Sequence, residues 1–327
     1  MILVKKNEHK YMVLYIIVGM DKKKVLSFVA LVVIVILWGV VPVIGKYLLD
    51  NDFYSPALLI ATRGLLATIT MVIVVALTKG FKLINKSYLI CIPAGLILAA
   101  AYIFQFIGLD TTTTSKNVFL ESFSVIATPI SLFFLIKEKP RINALIASIL
   151  CLGGAFILCG DGWNFTEMFK APTLGDIFSA IGGALFGVNI AFTQVFAKDK
   201  NPFVYVMFQL AILTVFAFGY SFIFERPLLF SWDVGNIFIV LFLSIFCTAL
   251  CWVVRAVAVK NINAITIVVM NPMSAIVATI IALSIGQETF NFNLLVGALI
   301  IVAAIVISSL PKKEKKTDNE VSLDSNK

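Results

Sequence analysis

Between Asn117 and Ser131 the chain places Asn117, Glu121, Ser124, Thr128 and Ser131 at steps of four, three, four and three residues. On a helix that spacing puts all five side chains on one face. An amide, a carboxylate and three hydroxyls in one stripe can exchange hydrogen bonds with a small polar solute, and Glu121 can also exchange a proton. The rest of the segment is apolar, so Glu121 must face protein or water rather than lipid. A second stripe holds Thr248, Trp252 and Arg255, and Asn271 with Ser274 forms a third. Asn189 with Thr193, Tyr102 with Gln105, and Trp38 stand in other apolar segments. The expected substrate contacts are Trp38, Tyr102, Gln105, Asn117, Glu121, Asn189, Trp252, Arg255 and Asn271. The competing role for such Ser, Thr and Asn side chains is hydrogen bonding between helices.

Arg63 lies in "SPALLIATRGLLATITMVIVVAL", residues 55–77, with no acid in the run. It stands seven residues past Pro56, about 10 Å along a helix. Glu121 lies at similar depth in its own segment. A structural ion pair between Arg63 and Glu121 is therefore expected, because pairing lowers the cost of burying either charge. The alternative is that Arg63 faces a cavity and clamps a carboxylate. Arg255 either snorkels to the headgroups or meets the solute.

These residues sit in a chain of 327 residues that is 60% hydrophobic and 13% charged, whereas a soluble domain averages about a quarter charged. Apolar runs of membrane-crossing length recur at about 25–45, 56–78, 88–109, 115–136, 142–160, 176–197, 202–224, 235–258, 262–285 and 292–310. The runs are continuous rather than alternating, so they are helices and not barrel strands. The fold expected is an all-α polytopic membrane protein with ten transmembrane helices. Breaks such as "KGFKLINKS", "KEKPR" and "KNIN" leave no room for a soluble domain.

Basic residues orient the spans. With a cytoplasmic N-terminus, twenty Lys and Arg fall on inner segments. Lys46, Lys116, Lys170 and Arg226 fall outside, and Arg63 and Arg255 lie within spans, which accounts for all 26. Both termini are expected in the cytoplasm of a multi-pass cell-membrane protein, and the net charge of +8 reflects this bias rather than a nucleic-acid partner. The five cysteines form no CxxC pair, and His9 is the single histidine. Neither a metal site nor a cofactor is expected. Residues 1–24 form a cytoplasmic segment whose "YMVLYIIVGM" is too short to span. Either translation begins at Met20 or residues 1–20 lie on the membrane surface.

The halves of the chain align at an offset of 150 residues. Tyr102 then faces Trp252, Gln105 faces Arg255, Glu121 faces Asn271, Pro129 faces Thr279 and Glu138 faces Glu288. Further upstream "LWGVVP" matches "LFGVNI", and "SPALLIATR" matches "NPFVYVMFQ", setting Arg63 opposite Gln209. Residues 25–160 and 176–310 are thus two five-helix repeats, joined by an outer linker at 161–175 and followed by a polar cytoplasmic tail at 311–327. Five is odd, so the second repeat enters the membrane from the opposite side. Inverted repeats of this kind underlie many alternating-access carriers.

Two five-helix repeats, "WGVVP" in the first span, an Arg in the second, and Pro129 with Glu138 closing the fourth resemble the EamA family of the drug/metabolite transporter superfamily. The likeness covers about residues 24–310. It implies ten helices, inner termini, and export or uptake of small metabolites, amino acids included. It also implies a central cavity lined mainly by spans 1, 3, 4, 6, 8 and 9. In the second repeat the proline of "NPM" stands seven residues before the position matching Pro129. Gln105 and Arg255 stand where such sequences more often carry apolar or aromatic residues. These departures bear on the substrate rather than the fold.

The function expected is secondary transport of a small polar metabolite, an amino acid or related compound, in the export direction. The alternatives are an uptake carrier and a drug or toxic-compound efflux protein. No phosphate-cradling loop is present, so ATP is not the direct driver. Glu121 is the candidate for proton coupling, with facilitated diffusion as the alternative. A membrane enzyme would need clustered acids, histidines or nucleophiles at one interface. A receptor would need large outer surfaces. Neither feature is present, and small molecules and the bilayer are the expected partners.

Overall fold

The computed structural model describes residues 22–112, 114–137, 142–159, 173–284 and 292–309. Readings that fall on residues 1–21, on 160–172, on Glu138 and Glu288, and on the tail from 310 lie outside the described residues.

Span 1 is Lys22–Asp50, span 2 Pro56–Leu77 and span 3 Cys91–Thr111. Span 4 has two pieces, Thr114–Glu121 and Ser124–Ile136. Span 5 is Ile142–Cys159. Span 6, Leu174–Phe192, runs on through a π-helical turn at Thr193–Ala197. Span 7 is Pro202–Phe224. Span 8 joins Val234–Ser244 to Cys251–Asn261 through a π-helical turn at Ile245–Leu250. Span 9 has two pieces, Ala264–Met270 and Met273–Ser284, and span 10 is Phe292–Ser309. Eight of these are long and apolar enough to cross a membrane, and spans 5 and 10 are shorter apolar helices. Among the described residues these make the expected all-helical bundle of ten.

Local chemistry sets where the helices begin. Pro202 occupies the first position of span 7, and Asn201 Oδ1 accepts from the amides of Phe203 and Val204 at 3.0 and 3.3 Å. Thr173 and Asp176 close a reciprocal capping box on span 6. Span 2 is capped from a distance: Glu225, just past span 7, accepts from the amides of Ala57 and Leu58 at 2.6 and 3.1 Å. Its charge also suits the positive end of that helix. On span 1 the exposed Leu26, Val29, Val33 and Ile36 line one side, while Leu31, Ile34 and Val35 are buried. An apolar stripe left on the outside of the bundle fits lipid, not water.

The packing obeys the repeat. Spans 2 and 7 pack on each other, as do spans 5 and 10. Span 3 packs on span 6 as span 8 packs on span 1, and span 4 packs on span 6 as span 9 packs on span 1. This is the pattern of two five-helix units related by a pseudo-two-fold axis, with inverted orientation because each unit has an odd number of helices.

Both fourth helices are interrupted at matching places. Beside Glu121 the chain tightens into three-residue hydrogen bonds, from Ser122 N to Phe119 O and Phe123 N to Leu120 O. Beside Asn271 it does the same, from Asn271 N to Val268 O and Ser274 N to Asn271 O. Three prolines, Pro42, Pro129 and Pro272, stand within the apolar segments and could bend or open a helix. Only Pro272 lies at an interruption, since Pro42 and Pro129 stay inside continuous helices. A proline removes one amide donor, and a tightly packed bundle can satisfy the freed carbonyl by other means.

The glycines of "WG" and "FG" explain how spans 1 and 6 approach these interruptions. A Cβ on Gly39 would stand 2.7 Å from the carbonyl oxygen of Ser274, and one on Gly187 would stand 2.6 Å from that of Ser124. Ser124 and Ser274 are themselves repeat equivalents. Only glycine lets backbone meet backbone here.

Candidate functional site

Where the two repeats meet lies a cavity with about 560 Å³ of atom-free space, counting its mouth. Its lining includes Trp38, Val41 and Pro42 of span 1, Tyr102 and Gln105 of span 3, Glu121 of span 4 and Phe186 of span 6. Trp252 and Arg255 of span 8, Asn271 and Ser274 of span 9, and Arg63 of span 2 complete it. Four repeat pairs face this one space: Trp38 with Phe186, Tyr102 with Trp252, Gln105 with Arg255, and Glu121 with Asn271. A pseudo-two-fold axis brings equivalent residues together only near itself, so these pairs mark the centre of the fold.

The Tyr102–Trp252 pair makes that contact directly. Trp252 Nε1 donates to Tyr102 Oη at 2.8 Å, although 150 residues separate them. The ring of Trp38 lies 6.2 Å from Trp252, and that of Phe186 lies 5.0 Å from Tyr102. Trp38 Nε1 donates to Cys247 O at 3.1 Å, a carbonyl within the π-helical turn of span 8. Four aromatic rings thus form one wall, with their polar atoms engaged in three of them.

Glu121 does not pair with Arg63. Its Oε2 accepts from Gln105 Nε2 at 2.8 Å. Arg63, only 2% exposed, donates from Nη2 to Thr248 Oγ1 at 3.1 Å and lies 5.3 Å from the Phe106 ring and 5.9 Å from Tyr102. The expected ion pair is corrected on this point, because each group meets another partner across the gap, Gln105 for Glu121 and Thr248 for Arg63. Thr248 spends its own proton on Leu243 O, five residues back along the π turn, and offers its lone pairs to Arg63. Span 2 was not among the spans expected to line the cavity, yet its arginine reaches it. Nε and Nη1 of Arg63 are buried without a partner.

Arg255 does not snorkel. It is 3% exposed, donates to Asn189 Oδ1 at 2.6 Å, and stacks 3.6 Å from the Trp252 ring centroid. Asn189 passes the link on, donating to Ala94 O at 2.9 Å. Asn189 therefore stands behind Arg255 rather than on the cavity lining. Asn117 is likewise off the lining: its amide donates to Gln105 O at 3.0 Å and Ser179 Oγ at 2.8 Å. The other seven expected contacts line the cavity. Asn271 Oδ1 is buried there without a partner. Phe186 was missed as a lining residue, although the match of "LFGVNI" to "LWGVVP" set it opposite Trp38. Among the described residues no cluster of His, Cys, Asp or Glu could hold a metal ion.

A two-repeat helical bundle around a central polar cavity defines a multi-pass membrane transporter for small molecules. The chain belongs to the EamA-like transporter family, whose profile matches residues 25–160 and 173–310. It is 27% identical over 292 residues to the uncharacterized transporter YvbV of Bacillus subtilis, covering 86% of this chain and 91% of that one. It is 22% identical over 314 residues to the uncharacterized transporter YetK of the same organism, covering 90% and 89%. A solved crystal structure has the same fold, with a TM-score of 0.71 at 15% identity over 91% of this chain and 99% of that one.

Proposed function

We propose that the protein is an alternating-access secondary carrier that exports a small polar metabolite, an amino acid or a related compound, across the cell membrane. One observation carries this reading: four repeat-equivalent residue pairs surround one cavity, and both interrupted helices, spans 4 and 9, place a polar side chain there. In an inverted repeat each unit can take the other's conformation, so one midplane site opens first to one side and then to the other. Glu121 and Asn271 are the polar group each unit presents. Trp38, Tyr102 and Trp252 form the aromatic wall, and Gln105 and Arg255 the polar flank. The lysine distribution supports cytoplasmic termini. Glu121, the single acid on the lining among the described residues, is the group through which a proton would be exchanged for substrate.

Reconstitution into liposomes with a metabolite panel tests the reading. Glu121→Gln keeps shape and hydrogen bonding but removes the charge. It should alter the rate of transport or its pH dependence more than protein abundance. Asn271→Ala should slow transport through loss of an amide contact. Normal flux and an unchanged pH profile in both variants would remove these residues from the site.

A further inference from the structure

The charges lining the cavity do not balance. Arg63 and Arg255 are permanent cations, and among the described residues Glu121 is the only acid on the lining beside them. With Glu121 ionised one positive charge is left over, and with Glu121 protonated two are. Arg255 has an acceptor in Asn189 and a ring beneath it. Arg63 is less well served. One hydrogen bond and two distant rings face a guanidinium with five N–H donors, and its Nε and Nη1 have no partner. An unpaired buried cation of this kind is costly to keep unless something brings it a counter-charge. The described lining supplies none, so a solute can.

We propose that the cavity selects a small carboxylate of net single negative charge. Its carboxylate docks on the free donors of Arg63, its carbon skeleton lies against Trp38, Tyr102, Phe186 and Trp252, and a hydroxyl or N–H of the solute donates to Asn271 Oδ1. A carboxylate fits because guanidinium and carboxylate match in geometry as well as in charge. A neutral zwitterion fills Arg63 but carries in as much positive charge as negative and leaves the surplus in place. A cation adds to it. This narrows the amino-acid-related class to its anionic members that carry such a donor: hydroxy acids, acylated amino acids and acidic amino acids. The inference rests on the carrier reading above for transport, though not for binding.

Shape-matched series that differ in charge test it. 2-Hydroxy-4-methylpentanoate, leucine and leucinamide are an anion, a zwitterion and a cation of similar shape, and glutamate with glutamine gives a second comparison. Each is offered to proteoliposomes in a counterflow assay, and each is titrated against the intrinsic fluorescence of the detergent-solubilised protein, since Trp38 and Trp252 line the site. The anion of each series should be favoured over its neutral partner by about tenfold or more, the Coulombic value of one net charge beside the surplus cation. Arg63→Gln should erase that preference while neutral solutes keep their weak binding. If Arg63→Gln does not fold, Glu121→Gln gives the second reading. It raises the surplus to two charges and should shift preference from glutamate toward the dianion 2-hydroxyglutarate. Equal or better handling of the neutral or cationic members overturns the charge selection and leaves the carrier reading intact. Anion-selective fluorescence changes with no counterflow in any series support the site and overturn the carrier reading instead.

Discussion

Replacing Gly187 with alanine puts a methyl group where the backbones of spans 4 and 6 touch. The new Cβ would stand 2.6 Å from Ser124 O, 2.9 Å from Ala127 Cβ and 3.0 Å from Ser124 Cα. Ordinary contact begins near 3.4 Å, so the two helices must part by about 0.8 Å, the difference between 3.4 and 2.6 Å. No rotamer change relieves the clash, because the nearest atom belongs to the backbone. Overpacking of this kind costs about 1–3 kcal/mol. Alanine also gains about 1 kcal/mol over glycine within a helix, which masks part of the loss. Gly153 in span 5 supplies the reference, since nothing lies within 4 Å of a Cβ added there. Gly153→Ala keeps the propensity gain without the clash, so the two variants should differ by about 1–3 kcal/mol. Heating the purified proteins in detergent and following the surviving monodisperse fraction by gel filtration measures the order. Gly187→Ala as stable as Gly153→Ala would refute the claim that glycine is required at the helix crossing.

Three further outcomes are expected. Tyr102→Phe strands Trp252 Nε1–H in a buried site and should lower stability by about 1–3 kcal/mol, while adding Trp252→Phe should recover part of it. A thermal series of the two single variants and the double reads the coupling. Thr248→Val removes the side chain that accepts from Arg63 and should destabilise the protein by about 1.5–3 kcal/mol. Thr248→Ser, which keeps the hydroxyl, should not, and equal melting of the two would show that the bond carries nothing. Cysteine placed at Lys82 should resist an impermeant thiol reagent added to intact cells, whereas one placed at Lys170 should react. The opposite labelling would invert the topology.

Much of the fold was legible because membrane helices announce themselves by composition. The ten apolar runs became ten helices, and the offset of 150 residues aligned Tyr102 with Trp252, two residues that the fold joins by a hydrogen bond. The interruptions were less legible. Pro272 signalled one, but span 4 breaks beside Glu121 with no proline at the break, and the π turn of span 8 has no sequence mark that distinguishes it from α-helix. Arg63 shows where the reading failed. Depth along each helix placed it level with Glu121, yet depth says nothing about rotation around the axis or the neighbour across the gap.

By itself the sequence determined what periodicity and composition encode: membrane-length helices, their pairing into repeats, and which face of each helix is polar. Those are properties of a helix taken alone. The tertiary structure decided which polar groups satisfy one another. Glu121 took Gln105, Arg255 took Asn189, and Asn117 turned to the backbone of Gln105 and to Ser179. Arg63 and Asn271 were left with unfilled atoms beside the cavity. A hydrogen bond is formed within about 3 Å and a narrow range of angles. Whether one forms therefore depends on the crossing of two helices to a fraction of an ångström, which no single segment carries.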